Sequence, residues 1–185
     1  MRAGTKPVFI EYEETFPKQT LRNRCRIDAP DGPLTLSVPT RHGGARRTKD
    51  ILLSPHANWP HRHWQALVST YAASPYFYFY ADDLKPLYDN PPERLVDFND
   101  RLLRTCLRLA GIEADLRPTE SFEAPLPPPP ADDIVPPYYQ LFAHRHGFIP
   151  NLSFVDLLFN LGPESRLLLR QVAIPHSSFL IPHLP

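Results

Sequence analysis

The stretch Gly147-Phe-Ile-Pro-Asn-Leu-Ser-Phe-Val-Asp-Leu-Leu-Phe-Asn-Leu-Gly-Pro-Glu-Ser165 sets how the rest of the chain is read. Phe154, Leu157, Leu158 and Leu161 recur at helical spacing, which predicts an apolar helix docked at the centre of the fold. Asp156 and Asn160 interrupt it. They are spaced i, i+4 and share one face, and a core does not require them there. Such a pair is either satisfied by structural partners or put to use. Asn151 or Ser153 can cap the helix and Asp156 can bond a neighbouring loop, which is the structural alternative to a functional pair.

Outward from this helix, residues 92–109 form the clearest amphipathic pattern, with Leu95, Phe98, Leu102, Cys106 and Leu109 on one stripe and Gly111 beyond its end. A further helix is predicted over 58–73, with Asn58 as N-cap, Pro60 in its first turn and Pro75 after it. The first half reads as short strands over 8–12, 22–27, 34–38 and 50–53. Asp31-Gly32 marks a hairpin turn between the middle two, and residues 114–117 return as a strand. Together these patterns predict a single α/β domain over 1–170, a small mixed or antiparallel sheet packed by about three longer helices. Prolines dominate 118–137, a surface loop, and residues 171–185 form a tail.

Composition narrows the function classes. The 185 residues carry 20 Lys plus Arg and 20 Asp plus Glu, so no global field draws the chain to nucleic acid or an anionic membrane. No leader-like or bilayer-spanning apolar run is visible, and two cysteines do not make a disulfide framework; a cytoplasmic protein with reduced thiols is expected. Walker, dinucleotide-fingerprint and Gly-x-Ser-x-Gly patterns do not occur.

Three groups of side chains can carry chemistry. Arg22, Arg24 and Arg26 alternate along a predicted strand, which spaces their guanidinium groups about 7 Å apart on one face. Arginine forks suit phosphate or carboxylate oxygens, and Lys18 and Asn23 lie beside the row. A solvated strand face that discourages edge pairing is the alternative. Cys25 shares its parity with Ile27, which predicts an inert thiol, and Cys106 lies on an apolar stripe. His56, His61 and His63 cluster at the start of one helix and His144 and His146 lie near the 147–165 block, a set that zinc could draw on, yet His-x-His on a helix points its rings about 200° apart, and no zinc-site spacing is present. His63 is the best single candidate for a general base, with packing under Trp59, its i, i+4 neighbour, as the structural alternative.

Several separated segments, in order, resemble the WbqC-like family. They are Lys18-Gln-Thr-Leu-Arg-Asn-Arg-Cys-Arg-Ile27, Trp59 with His63, Ser74-Pro-Tyr-Phe77 with Tyr80 to Asp83, Asp97-Phe-Asn99, Tyr138-Tyr-Gln-Leu-Phe142 and the 147–165 block. The resemblance runs from about residue 8 to 165. It implies a transferase-type enzyme moving an acyl or aminoacyl group in bacterial surface polysaccharide, O-antigen or glycoconjugate synthesis. It matches at Asn23, Arg24, Trp59 and His63, and names no cofactor and no metal. Relatives open with a strand and turn resembling Gln-Pro-x-Tyr-Leu-Pro, so the resemblance also implies that such a segment is missing before residue 8.

In this reading Lys18, Arg22, Asn23, Arg24 and Asn160 bind ligand, while His63 and Asp156 are catalytic. The partners are a small anionic donor and a sugar-linked acceptor. The competing reading is a non-catalytic binding or scaffold protein for a phosphorylated intermediate. Convergence of Arg24, His63 and Asp156 on one cleft separates the two.

Overall fold

The computed structural model describes residues 7–17, 20–41, 44–122 and 135–171. Lys18, the run 127–130 and the tail beyond 171 lie outside them. Over the described residues the chain is mixed α/β, with three longer helices and two-stranded sheets.

Strand β1 (Pro7–Ile10) pairs in parallel with β6 (Asp115–Pro118). Hairpin strands β2 (Arg24–Ala29) and β3 (Gly32–Ser37) are antiparallel, with Ala29 opposite Gly32. Gly32 has a φ of 114°, a left-handed turn position that the Asp-Gly signal anticipates. The short strands β4 (Thr40–Arg41) and β5 (Leu52–Leu53) make a third pair. At the edge of β2 away from β3, a loop residue stands where a third strand would pair. The backbone N–H of Ser153 donates to the Arg26 carbonyl, and its Oγ accepts the Arg26 N–H, closing the outer edge of β2.

Helices cover these pairs: α1 (Trp59–Tyr71), α2 (Phe77–Asp89) and α3 (Leu95–Leu109), followed by α4 (Ala143–His146), α5 (Phe154–Leu161) and α6 (Ser165–Gln171). The α3 stripe buries Leu95, Phe98 and Cys106, with Leu102 and Leu109 packed alongside. α5 is the central helix, and every residue from Val155 to Asn160 is buried. Its Phe159 ring contacts Tyr71 of α1 at 5.0 Å and Phe77 of α2 at 5.1 Å. Rings at such spacing stabilise beyond their buried area by about 0.5–1.5 kcal/mol per pair.

Local structure departs from the sequence reading in four places. The arginine segment enters β2 through a 3-10 turn, Leu21–Asn23, so Arg22 precedes the strand. Asn58 precedes α1 in the left-handed region, at φ 45°, with no side-chain capping bond. Ser153 occupies the N-cap position of α5 without a capping bond, because its hydroxyl is used on β2. The third long helix is α2, while α5 spans only eight residues.

Candidate functional site

A cleft of about 270 Å³ opens where the β2–β3 hairpin meets α1, α3 and the start of α5. One wall is Leu21 to Cys25, running from the 3-10 turn into β2. Leu36 of β3 and Val38 just beyond it flank this wall, and His63 of α1 and Tyr88 of α2 enter from another side. Phe98, Asn99, Leu102, Leu103 and Cys106 of α3 form the opposite wall, and Ser153, Phe154 and Val155 close the end. Most of this surface is apolar; its polar groups include the 22–24 segment, His63, Tyr88, Asn99 and Ser153.

Each polar group is held by local structure. Asn23 Nδ2 donates to the Val38 carbonyl at 2.9 Å, and Val38 N donates back to the Asn23 carbonyl at 2.8 Å. This double bond to one residue fixes the 3-10 turn, although Asn23 Oδ1 is buried without a partner. Asn99 Nδ2 donates to the Arg22 carbonyl at 2.8 Å, which ties α3 to the same turn. Arg22 itself forms a two-armed ion pair with Glu14, so its charge is locally neutralised. Arg24 is exposed at the cleft and has no ion-pair partner among the described residues. Arg26 shares its strand face but does not line the cleft.

His63 is buried against Trp59, with ring centroids 5.1 Å apart in an edge arrangement. Both alternatives for this residue therefore hold in geometry: it packs on the indole and it lines the cleft. Its Nε2 lies 3.1 Å from the Ser37 carbonyl oxygen, which only accepts. That contact puts the proton on Nε2 and leaves the lone pair on Nδ1. Burial lowers the imidazole below its usual 6.5, assisted by Arg62, against a smaller upward pull from the Ser37 bond. Neutral imidazole, the form a general base requires, is thus favoured.

Cys25 is half-buried at the cleft and Cys106 is buried in its wall. Burial pushes both thiols up, Cys106 to about 12; a Ser153 hydrogen bond offsets part of the shift at Cys25. Protonated thiols are poor nucleophiles.

Asp156 and Asn160 lie behind this site. Tyr71 of α1 donates to Asp156 Oδ2 at 2.6 Å, and Tyr138 donates to Oδ1 at 2.7 Å. Asn160 Nδ2 donates to the Asp156 carbonyl at 2.9 Å and reaches Oδ1 at 3.3 Å. Neither residue lines the cleft. Burial raises the Asp156 carboxyl above its usual range and nearby Asp28 acts in the same direction, while the two tyrosine hydroxyls pull it down. Asp28, on the far end of β2, is buried and faces His146 Nδ1 at 2.9 Å, with its second oxygen unpartnered.

The structure therefore brings Arg22, Asn23, Arg24 and His63 to one cleft and sets Asp156 and Asn160 apart from it; Lys18 lies outside the described residues. Sequence reasoning gives Ser153 no role beyond capping, none to Asn99, Tyr71 or Asp28, and to His146 only a place in a histidine set weighed for zinc. Asn99 belongs to the Asp97-Phe-Asn99 segment, but nothing in its spacing tells that it props up the arginine turn. Among the described residues no three His, Cys, Asp or Glu side chains gather as a metal site. None of the described helices is long and apolar enough to cross a membrane.

Comparison with known proteins matches residues 6–126 to the WbqC-like protein family. The chain belongs to the WbqC-like family. The matched region carries the arginine turn, the hairpin, His63 and the α3 wall, and stops before α5. A Mycobacterium tuberculosis relative, named Uncharacterized protein Rv1507c, is 30% identical over 119 residues, covering 62% of this chain and 51% of its own length. The WbqC-like chain thus spans about half the length of that curated relative. No solved structure matches it.

Proposed function

We propose that this WbqC-like chain is a transferase-type enzyme that moves an acyl or aminoacyl group to a sugar-linked acceptor in surface polysaccharide or glycoconjugate synthesis. The observation that carries the reading is the meeting of Arg24 and His63 on one cleft. In this scheme Arg24 holds the anionic end of the donor. The acceptor hydroxyl or amine attacks the acyl carbon, its proton passes to His63 Nδ1, and the bond to the donor's leaving group breaks. Asp156 touches neither reactant. It acts as a positioning residue, because α5 carries both Asp156 and the cleft-lining Phe154 and Val155.

That same burial of Asp156 favours the second reading, a non-catalytic protein that holds a phosphorylated intermediate. A screen of acyl-phosphate, acyl-carrier and aminoacyl donors with sugar acceptors, followed by mass spectrometry of the acceptor, decides between them. A mass increase that disappears in His63→Gln while donor binding persists supports transfer. Donor binding with no product from any pair, in a chain carrying any preceding native segment, overturns transfer and leaves the binding reading.

A further inference from the structure

The cleft's lining specifies more than an anion. Leu36, Val38, Phe98, Leu102 and Val155 line it, so a ligand made only of phosphate and sugar would meet walls that offer it few hydrogen bonds. The apolar surface also continues to the rim: Leu21 is 80% exposed and Leu103 is 37% exposed. A lone exposed leucine needs no explanation, but two at the mouth of an apolar cleft extend its surface outward. Arg24 stands at this cleft with no ion-pair partner among the described residues, whereas neighbouring Arg22 is paired with Glu14. An unpaired guanidinium beside an apolar trough is complementary to a molecule with an anionic head and an apolar chain.

We infer that this cleft binds an unbranched aliphatic chain ending in a carboxylate or phosphate, the chain lying along the α3 wall and the head on Arg24. The inference rests on the proposed function only in naming the donor's class: the group carried is an aliphatic acyl group or sits on a lipid-like carrier. The volume limits the chain. At about 30 Å³ for each water-sized group, and with a methylene of comparable size, about 270 Å³ holds roughly nine carbons. Head and chain contribute separately. The charge contact is the same for every homologue, while each buried methylene contributes about 0.8 kcal/mol, a three- to fourfold gain in affinity.

The test is calorimetric titration of the intact chain with two homologous series, n-alkanoates and n-alkyl phosphates of four to fourteen carbons, below their micelle concentrations. Affinity is expected to rise about three- to fourfold per methylene and to level off near nine carbons. Arg24→Ala lowers the affinity of every member by one common factor and leaves the slope unchanged. Leu102→Trp, which fills the trough, moves the plateau to shorter chains. Because Leu102 packs against the core, Leu103→Asp on the exposed rim is the companion variant, and it weakens long chains more than short ones. A preference for one series identifies the head as carboxylate or phosphate.

Affinity independent of chain length in both series, or no binding of any member to a folded chain, overturns the inference. Transfer activity that depends on His63 without a chain-length slope would leave the transferase reading standing alone. A slope without transfer of any acyl group would leave the apolar-chain site and remove the transferase.

Discussion

Replacing Asp156 by asparagine removes a charge while nearly preserving shape, and its cost can be worked from the hydrogen bonds the carboxylate accepts. Two tyrosine hydroxyls donate to the two carboxylate oxygens, at 2.6 Å from Tyr71 and 2.7 Å from Tyr138. An asparagine offers one acceptor oxygen and one donating NH2. One tyrosine therefore keeps its acceptor, and the other must turn to accept, which leaves its own proton unpaired in a buried site. An unsatisfied buried donor costs about 1–3 kcal/mol. For a chain of this length, about 2 kcal/mol lowers Tm by roughly 4–8 °C.

The pH dependence gives a second, sharper reading of the same variant. The folded-state pKa of Asp156 is raised, so the folded protein binds this proton more tightly than the unfolded chain does. Wild-type stability from this group is therefore greatest at low pH and is lost as pH rises from about 3.9 through the folded value. Asparagine does not titrate, so the stability gap between wild type and Asp156→Asn narrows over that window. Differential scanning calorimetry from pH 4 to pH 7 measures both quantities, with Tyr71→Phe as a second removal of one bond. A Tm unchanged to within about 1 °C, or a gap that widens with pH, would refute this account of the buried network. Cleft binding measured at a temperature where both proteins are folded reads the positioning role separately: Asp156 does not line the cleft, so any change there is passed on through Phe154 and Val155.

Gly162→Ala should be among the most destabilising single-atom additions in the chain. Gly162 has a φ of 55°, and a Cβ there would lie 2.4 Å from the Tyr76 ring, so backbone strain and overpacking combine to about 2–4 kcal/mol, readable as a lowered denaturant midpoint. His63 should impose an acid limb: with its folded pKa lowered, its stabilising contribution is complete above the unfolded value of about 6.5 and is lost as pH falls from there through the lowered folded value. His63→Gln should flatten the acid limb below about pH 6.5 in urea titrations, and an unchanged limb would show that another group sets it.

Legibility followed how local the determining interaction is. The α3 helix and the β2–β3 hairpin were readable because a 3.6-residue stripe and an Asp-Gly turn encode them within a few residues. The helix α2 was not. Phe77, Tyr78, Phe79 and Tyr80 present aromatic rings all round its first turn and Pro86 lies inside it, so no stripe marks it; packing of Phe77, Leu84 and Tyr88 selects the helix. Likewise the β1–β6 pairing joins Val8 to Leu116, and no local pattern specifies a partner so far along the chain.

The candidate site divides along the same line. Residue type and spacing pointed to Arg24 and His63, and the fold brings both to one cleft. The same reasoning grouped Asp156 with them, because an i, i+4 polar pair in an apolar helix looks alike whether it faces a ligand or a partner inside the core. What separates the cases is Tyr71 and Tyr138, which arrive from α1 and from the segment after the proline-rich stretch to take both carboxylate oxygens. The arginine row divides in the same way. Glu14, eight residues earlier, claims Arg22, while Arg24, two residues on, has no ion-pair partner among the described residues. Strand alternation made the two equivalent, and one glutamate makes them different, so among the described residues of this turn Arg24 is the guanidinium without an ion-pair partner.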